Sequence, residues 1–211
     1  RYPGIKGLDL AAFRRQLEHL QARHTLVRMR DVVAAQRGEA VLPPDAALLT
    51  FDDAYAEHYA LAFPELFDRG IEGSFFAPLE PVCEGKLLDV NRIHFILAAH
   101  AATGGDPALI SARLDAAVRE ATADWGLDPV ETYRAQWAHP NRFDDAETIY
   151  IKRMLQTALP EALRHQIAVD LFAHFVAMDE AAFAGELYLT EQQARLMQAS
   201  GMFMGSPGDS H

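Results

Sequence analysis

The feature that most constrains the fold of this chain is a short apolar segment that ends in two adjacent acids. Residues 46–51 (AALLTF) follow a pair of prolines and are apolar except for Thr50. A run of this length and composition is typical of a strand that is buried on both faces, as in a parallel sheet. Because Asp52 and Asp53 follow directly, the pattern predicts two carboxylates at the carboxyl end of a buried strand.

The residues after this strand predict a strand–helix–strand unit. Pro64 suits the first turn of a helix, and Gly70 suits the position just after its last turn. Residues 73–77 (GSFFA) form a second apolar run, and residues 202–204 (MFM) predict a third buried strand. The alternation of strands and helices predicts the α/β class.

Two helices have clear start signals. Apolar residues at positions 10, 13, 17 and 20 lie on one face of a helix near the N-terminus. Asp9 is its predicted N-cap. Near the other end of the chain, Thr190 and Gln193 match a capping box, which predicts a helix that begins there.

The chain is expected to have three segments. Residues 1–85 form the first part of an α/β domain, and residues 187–211 continue it. Helical periodicity dominates residues 86–186, which predicts a helical insertion of about 100 residues.

Composition excludes several classes of protein. The 211 residues include 30 acidic and 19 basic side chains, a net charge of −11, which argues against nucleic acid as a partner. The single cysteine excludes a disulfide framework. No apolar run approaches the roughly 18 residues of a membrane span. The chain shows no signal-peptide pattern. The compartment is left open between a bacterial cytoplasm and a periplasm, and the oligomeric state is open too.

Polar groups at two strand ends point to metal chemistry. Asp52 and Asp53 follow one predicted strand, and Asp209 and His211 follow another. Carboxylate and imidazole groups together suit zinc and similar ions, which activate water for hydrolysis of an amide or an ester. The alternative is structural: two acids after a strand also serve as a solvated turn or a helix cap.

The same residues carry a resemblance to a known family. Residues 49–55 (LTFDDAY) resemble the first motif of the polysaccharide deacetylases (NodB-homology domain, carbohydrate esterase family 4). Further similarity extends over about residues 5–82 and 187–211 and leaves out the insertion. The resemblance implies a distorted (β/α) barrel, present here in part and interrupted by the large helical insertion. It also implies a hydrolase of amide bonds other than peptide bonds, one that removes N-acetyl groups from amino sugars.

The resemblance assigns roles to matching positions. Asp52 corresponds to the catalytic base that activates water, and Asp53 and His211 correspond to metal ligands. The implied cofactor is a divalent metal, zinc in the first place and cobalt or nickel as alternatives. The implied substrate is an acetylated amino sugar, an oligosaccharide or a polysaccharide.

Three departures from the family pattern leave alternatives open. Pro207 stands where the first histidine ligand is expected, so the metal site is incomplete, and Ala54 replaces the usual glycine. The later motifs of the family, which include the general-acid histidine, are not found in these residues. Either the domain is expected to continue beyond His211, or the chain is a catalytically impaired relative that binds a glycan or a protein. A third possibility is a hydrolase for another amide, such as a formamido sugar, with the insertion narrowing the substrate range.

Overall fold

The protein is described by a computed structural model that covers residue 5 and residues 7–208. The strands in this part are β1 (Thr25–Leu26), β2 (Ala46–Ala47), β3 (Thr50–Asp52), β4 (Ser74–Phe76) and β5 (Phe203–Gly205). The α-helices are α1 (Leu10–Arg23), α2 (Met29–Gln36), α3 (Phe63–Asp68), α4 (Asp89–Ala102), α5 (Pro107–Trp125), α6 (Val130–Trp137), α7 (Ala146–Arg153), α8 (Glu161–Phe175), α9 (Glu180–Leu187) and α10 (Glu191–Ala199). Short π-helical turns lie at His58–Ala62, Glu80–Glu84 and Met154–Ala158.

The chain divides into two compact units. The first, here called the α/β unit, contains Gly7–Leu87 and the described residues from Ala181 onward. The second, here called the helical unit, contains Leu88–Glu180. Every strand within the described residues belongs to the α/β unit.

The strands form two small parallel sheets, which confirms the α/β class predicted from the sequence. Strand β1 pairs with β2, and a separate sheet has the order β3–β4–β5. Parallel pairing requires crossover connections, which the helices supply. The structure is 63% helical, and its described strands do not close into a barrel.

The prediction of one continuous strand over residues 46–51 is wrong. Ala46 and Ala47 pair with β1, whereas Thr50–Asp52 pair with β4. The carbonyl of Leu49 already accepts a hydrogen bond from Ser74 in β4, at 2.9 Å. The segment therefore changes its partner strand near Leu48. A local pattern does not show this change, because pairing depends on strands that are distant in the sequence.

The core of the α/β unit lies between its three-stranded sheet and the helices around it. The buried side chains of this core are those of Leu17, Ala54, Leu66, Ile71, Phe75, Leu189, Met197 and Met202.

The predicted caps of two helices are confirmed. The Asp9 carboxylate accepts a hydrogen bond from the backbone N–H of Ala12 at 2.8 Å. Thr190 and Gln193 exchange the two hydrogen bonds of a capping box.

The helical unit contains a partly buried polar network that links α5, α6 and α7. Helix α4 packs against α8, and α5 packs against α7. Between α5 and α7, the hydroxyl of Tyr150 donates to Asp115 Oδ1, and Arg134 Nε donates to Asp115 Oδ2, both at 2.7 Å. Arg134 also donates to Glu147 at 3.0 Å and to Ser111 at 3.1 Å. Its guanidinium lies 4.6 Å from the centre of the Tyr150 ring.

The network raises the pKa of two of its members. Burial and the hydrogen bond to Asp115 raise the pKa of the Tyr150 hydroxyl well above its usual range. Burial opposes the charge of Arg134, but the hydrogen bonds that it donates to Asp115 and Glu147 outweigh burial and raise the pKa of the guanidinium. The tyrosine therefore stays neutral as a donor, and the arginine stays charged.

A second ion pair joins the two ends of the helical unit. The Arg92 side chain is only 4% exposed and makes a bidentate contact with Glu180. It also contacts Asp89 in the first turn of α4. The beginning and the end of the helical unit are therefore tied together.

No helix in the described part is both long enough and apolar enough to cross a bilayer.

Candidate active site after strand β3

The two predicted site acids lie at the carboxyl end of β3, beside the central strand β4. Asp52 is the last residue of β3, lies opposite Phe76 of β4, and has an exposed side chain. The backbone N–H of Asp53 donates to the carbonyl of Phe76 at 3.1 Å. In the next pair, Ala77 donates to Gly205 of β5 at 2.9 Å. The segments that follow β3, β4 and β5 therefore leave the sheet at the same edge, which is where ligands bind in parallel α/β folds.

Two consecutive residues at this edge have left-handed backbones. The φ angle is 70° at Asp53 and 54° at Ala54. Aspartate tolerates this region, but for alanine it costs about 1–2 kcal/mol. Ala54 is also 2% exposed, and its carbonyl accepts a hydrogen bond from Leu189 at 2.9 Å. The strain is held in place by the surrounding core, and residues held in this way cluster at functional sites.

The strain at Ala54 gives a matched stability prediction. Ala54→Gly relieves the backbone but loses a buried methyl group, so we expect the free energy of unfolding to change by less than about 1 kcal/mol. Ala62 is a buried alanine of the same unit with an ordinary φ of −73°. Ala62→Gly has no strain to relieve and should lose about 1–2 kcal/mol. Chemical denaturation followed by circular dichroism measures both, and equal losses in the two variants would contradict the strain.

The carboxylate of Asp53 is held by a tyrosine. The hydroxyl of Tyr55 donates to Asp53 Oδ2 at 3.1 Å. Tyr55 forms an antiparallel bridge with Tyr188, and the two rings stack with their centres 6.2 Å apart and an angle of 13° between them. Tyr188 is 4% exposed, so this pair is anchored in the core.

A histidine that sequence reasoning missed lies beside the acids. His58 begins the π-helical turn after the strained residues, and π-turns are frequent at functional sites. Its ring meets those of Phe51 and Tyr55 edge-on at 5.6 Å and that of Phe75 at 5.8 Å. The three-residue spacing from Tyr55 on a helical turn is the signal that could have placed it on the same face.

His58 is neutral at neutral pH. Burial lowers the pKa of its imidazole to about 4, although the charge of Asp53 opposes the shift. Its Nδ1 is buried and has no hydrogen-bond partner among the described residues. The imidazole therefore contributes packing to the site and does not supply a counter-charge for Asp53.

The remaining predicted site residues follow β5. His211 lies outside the described residues, so its distance from Asp53 is not given by the structure. Pro207 is described, and its side chain has no atom that can bind a metal. The neighbouring Ser206 hydroxyl donates to the Gly208 carbonyl at 2.8 Å and accepts from the Gly208 N–H at 3.2 Å. The side chain at position 206 is therefore used within a local turn.

The residue types predicted as ligands are ones that divalent cations bind, but the described residues alone do not assemble a three-ligand metal site. Within residues 7–208, no group of three His, Cys, Asp or Glu side chains is placed so that it could hold a metal ion. The carboxylate of Asp53 and the imidazole of His211 are the donor types that zinc-like cations take. Pro207 adds no third donor, so a cation held by Asp53 and His211 alone would be expected to bind more weakly than at a three-ligand site.

Comparison with known proteins finds no relative of this chain. Neither protein-family models, nor curated proteins, nor solved structures give a match to this chain.

Proposed function

We propose that this chain is a metal-dependent hydrolase that removes N-acetyl or related acyl groups from a carbohydrate. The observation that supports it most strongly is the strained turn at Asp53 and Ala54, which follows the exposed Asp52 at the end of a parallel strand. The likeness of residues 49–55 to the first motif of the NodB-homology deacetylases supports the same proposal. On this proposal, β3, β4 and β5 are strands of a distorted (β/α) barrel of that type.

In the proposed reaction the two acids divide the work. Asp52, at the exposed end of β3, takes a proton from the attacking water. Asp53 and His211 would hold a divalent cation, zinc in the first place and cobalt or nickel as alternatives. When bound, such a cation supplies Lewis-acid activation of water and of the acyl carbonyl. Asp53 is kept in place by its backbone hydrogen bond to Phe76 and by the Tyr55 hydroxyl, while the Asp52 carboxylate accepts the proton.

The test is a turnover assay of the purified chain with Zn²⁺, Co²⁺ or Ni²⁺. The substrates are acetylated amino-sugar oligomers and a matching formamido sugar, because the choice of acyl group is open. We expect release of acetate or formate that requires the metal and stops when a chelator removes it. Bound metal without release from any substrate in the panel would contradict a hydrolase.

A second candidate function is a catalytically impaired relative that binds a glycan or a protein. Pro207 is the observation that favours it, because this described residue removes one metal ligand of the family pattern. The variant Pro207→His separates the two functions. If the chain is a hydrolase, we expect an added imidazole ligand to raise both the metal affinity and the turnover, because catalytic zinc sites use three protein ligands. Metal-independent binding of an acetylated oligosaccharide, with no turnover in Pro207→His, would favour the binding module.

A further inference from the structure

The hydrogen bond from the Tyr55 hydroxyl restrains the orientation of the Asp53 carboxylate. The terminal torsion of an aspartate is broad, so its two oxygens can take many orientations. A donor at 3.1 Å from Oδ2 selects one of them. Metal sites depend on such control, because an outer hydrogen bond orients the ligand that touches the cation.

Tyr55 is itself held on two sides. Its backbone is bridged to Tyr188, and its ring is stacked on the buried ring of the same residue. On another side the edge of the His58 ring lies 5.6 Å away. A side chain with these contacts has lost its rotational freedom on folding, so little entropy remains to be lost when its hydroxyl holds the carboxylate.

We infer that Tyr55 is a positioning residue that fixes the Asp53 carboxylate for cation binding, and that Tyr188 acts by holding Tyr55. This inference rests on the proposed function, since it takes Asp53 as a metal ligand. It adds a role for two tyrosines that lie 133 positions apart in the chain. The positioning therefore depends on a segment that follows the helical unit.

The test is a titration of the metal-free protein with Co²⁺ alone, read by calorimetry and by the visible absorption of the bound ion. Tyr55→Phe keeps the stacked ring and removes only the hydroxyl. We expect the dissociation constant for Co²⁺ to rise about tenfold and the absorption spectrum to change, because the carboxylate loses this orienting hydrogen bond. The denaturation curve should be nearly unchanged.

The matched control is Tyr59→Phe. Tyr59 lies four positions further on, and its ring stacks with Phe63 at 5.9 Å. The variant also removes one tyrosine hydroxyl from the α/β unit, and we expect neither the Co²⁺ affinity nor the spectrum to change. Equal losses in Tyr55→Phe and Tyr59→Phe would overturn the inference.

The role of Tyr188 is tested by combining variants. Tyr188→Leu removes the stacked partner and is expected to weaken Co²⁺ binding in the wild-type background. In the Tyr55→Phe background it should have little further effect, because its influence passes through the missing hydroxyl. Additive losses would show that Tyr188 does not act through Tyr55.

Asp53→Ala separates this inference from the proposed function. If Asp53→Ala abolishes Co²⁺ binding but Tyr55→Phe leaves the Co²⁺ affinity unchanged, the positioning role is wrong and the proposed ligand stands. If Asp53→Ala leaves the Co²⁺ affinity unchanged, the proposed metal site is wrong. Absence of saturable Co²⁺ binding in both the wild type and Pro207→His would overturn the two together.

Discussion

Asp52→Asn is expected to lower the rate of acyl release by about 10²- to 10⁴-fold, the usual contribution of a general base. The amide keeps the size of the carboxylate but cannot take a proton from water. Asp52 is exposed, and no hydrogen bond to its side chain is present within the described residues. The substitution should therefore leave both the fold and Co²⁺ binding intact.

The rate is measured as acetate or formate released per mole of protein at saturating metal. Asp68→Asn is the matched control, because Asp68 is an exposed aspartate at the end of α3 in the same unit. We expect wild-type activity from this control. Full activity in Asp52→Asn would show that another group accepts the proton.

Asp115→Ala is expected to destabilise the helical unit by about 3 kcal/mol, as removal of one partner from a buried ion pair does. The Asp115 side chain is 6% exposed and accepts hydrogen bonds from both Arg134 and Tyr150. Its loss leaves the buried Tyr150 hydroxyl without its acceptor and removes one of the two carboxylates that face Arg134. The cost is limited because Glu147 still pairs with Arg134.

Tryptophan fluorescence measures this effect selectively. The chain has two tryptophans, Trp125 and Trp137, and both belong to the helical unit. Asp124→Ala is the matched control on the same helix, because Asp124 is exposed. It should change the free energy of unfolding by less than about 0.5 kcal/mol. Similar denaturation midpoints for the two variants would contradict a stabilising role for the network.

Local signals in the sequence predicted local structure well. The caps at Asp9 and Thr190 follow from a few neighbouring residues, because the hydrogen bonds they make span only three positions. The apolar run at residues 73–77 likewise identifies β4. In each case the residues that form the feature are close neighbours in the sequence.

Features that depend on distant residues were not predicted. The change of partner strand near Leu48 depends on β1 and β4, which lie on either side of it in the sequence. Arg134 meets its partners in α5 and α7, and a charged residue in a periodic helix does not reveal this.

The candidate site combines both kinds of feature. Asp52 and Asp53 are adjacent in the sequence and were found there. The positive φ of Ala54 contradicts the local preference of alanine, and only the surrounding core, including the hydrogen bond from Leu189, maintains it. The burial of His58 likewise depends on Phe75 in the next strand. The roles of Asp52, Asp53 and His211 stay predictions.

The bridge between Tyr55 and Tyr188 has a consequence for the order of folding. It closes a loop of 133 residues, and the entropy lost in closing a loop grows with the logarithm of its length. The ion pair between Arg92 and Glu180 joins residues 88 positions apart inside that loop. If the helical unit forms first, the remaining loop is roughly a third as long, and closing it costs about 1 kcal/mol less. The cheaper route therefore completes the helical unit before the turn that carries Asp53.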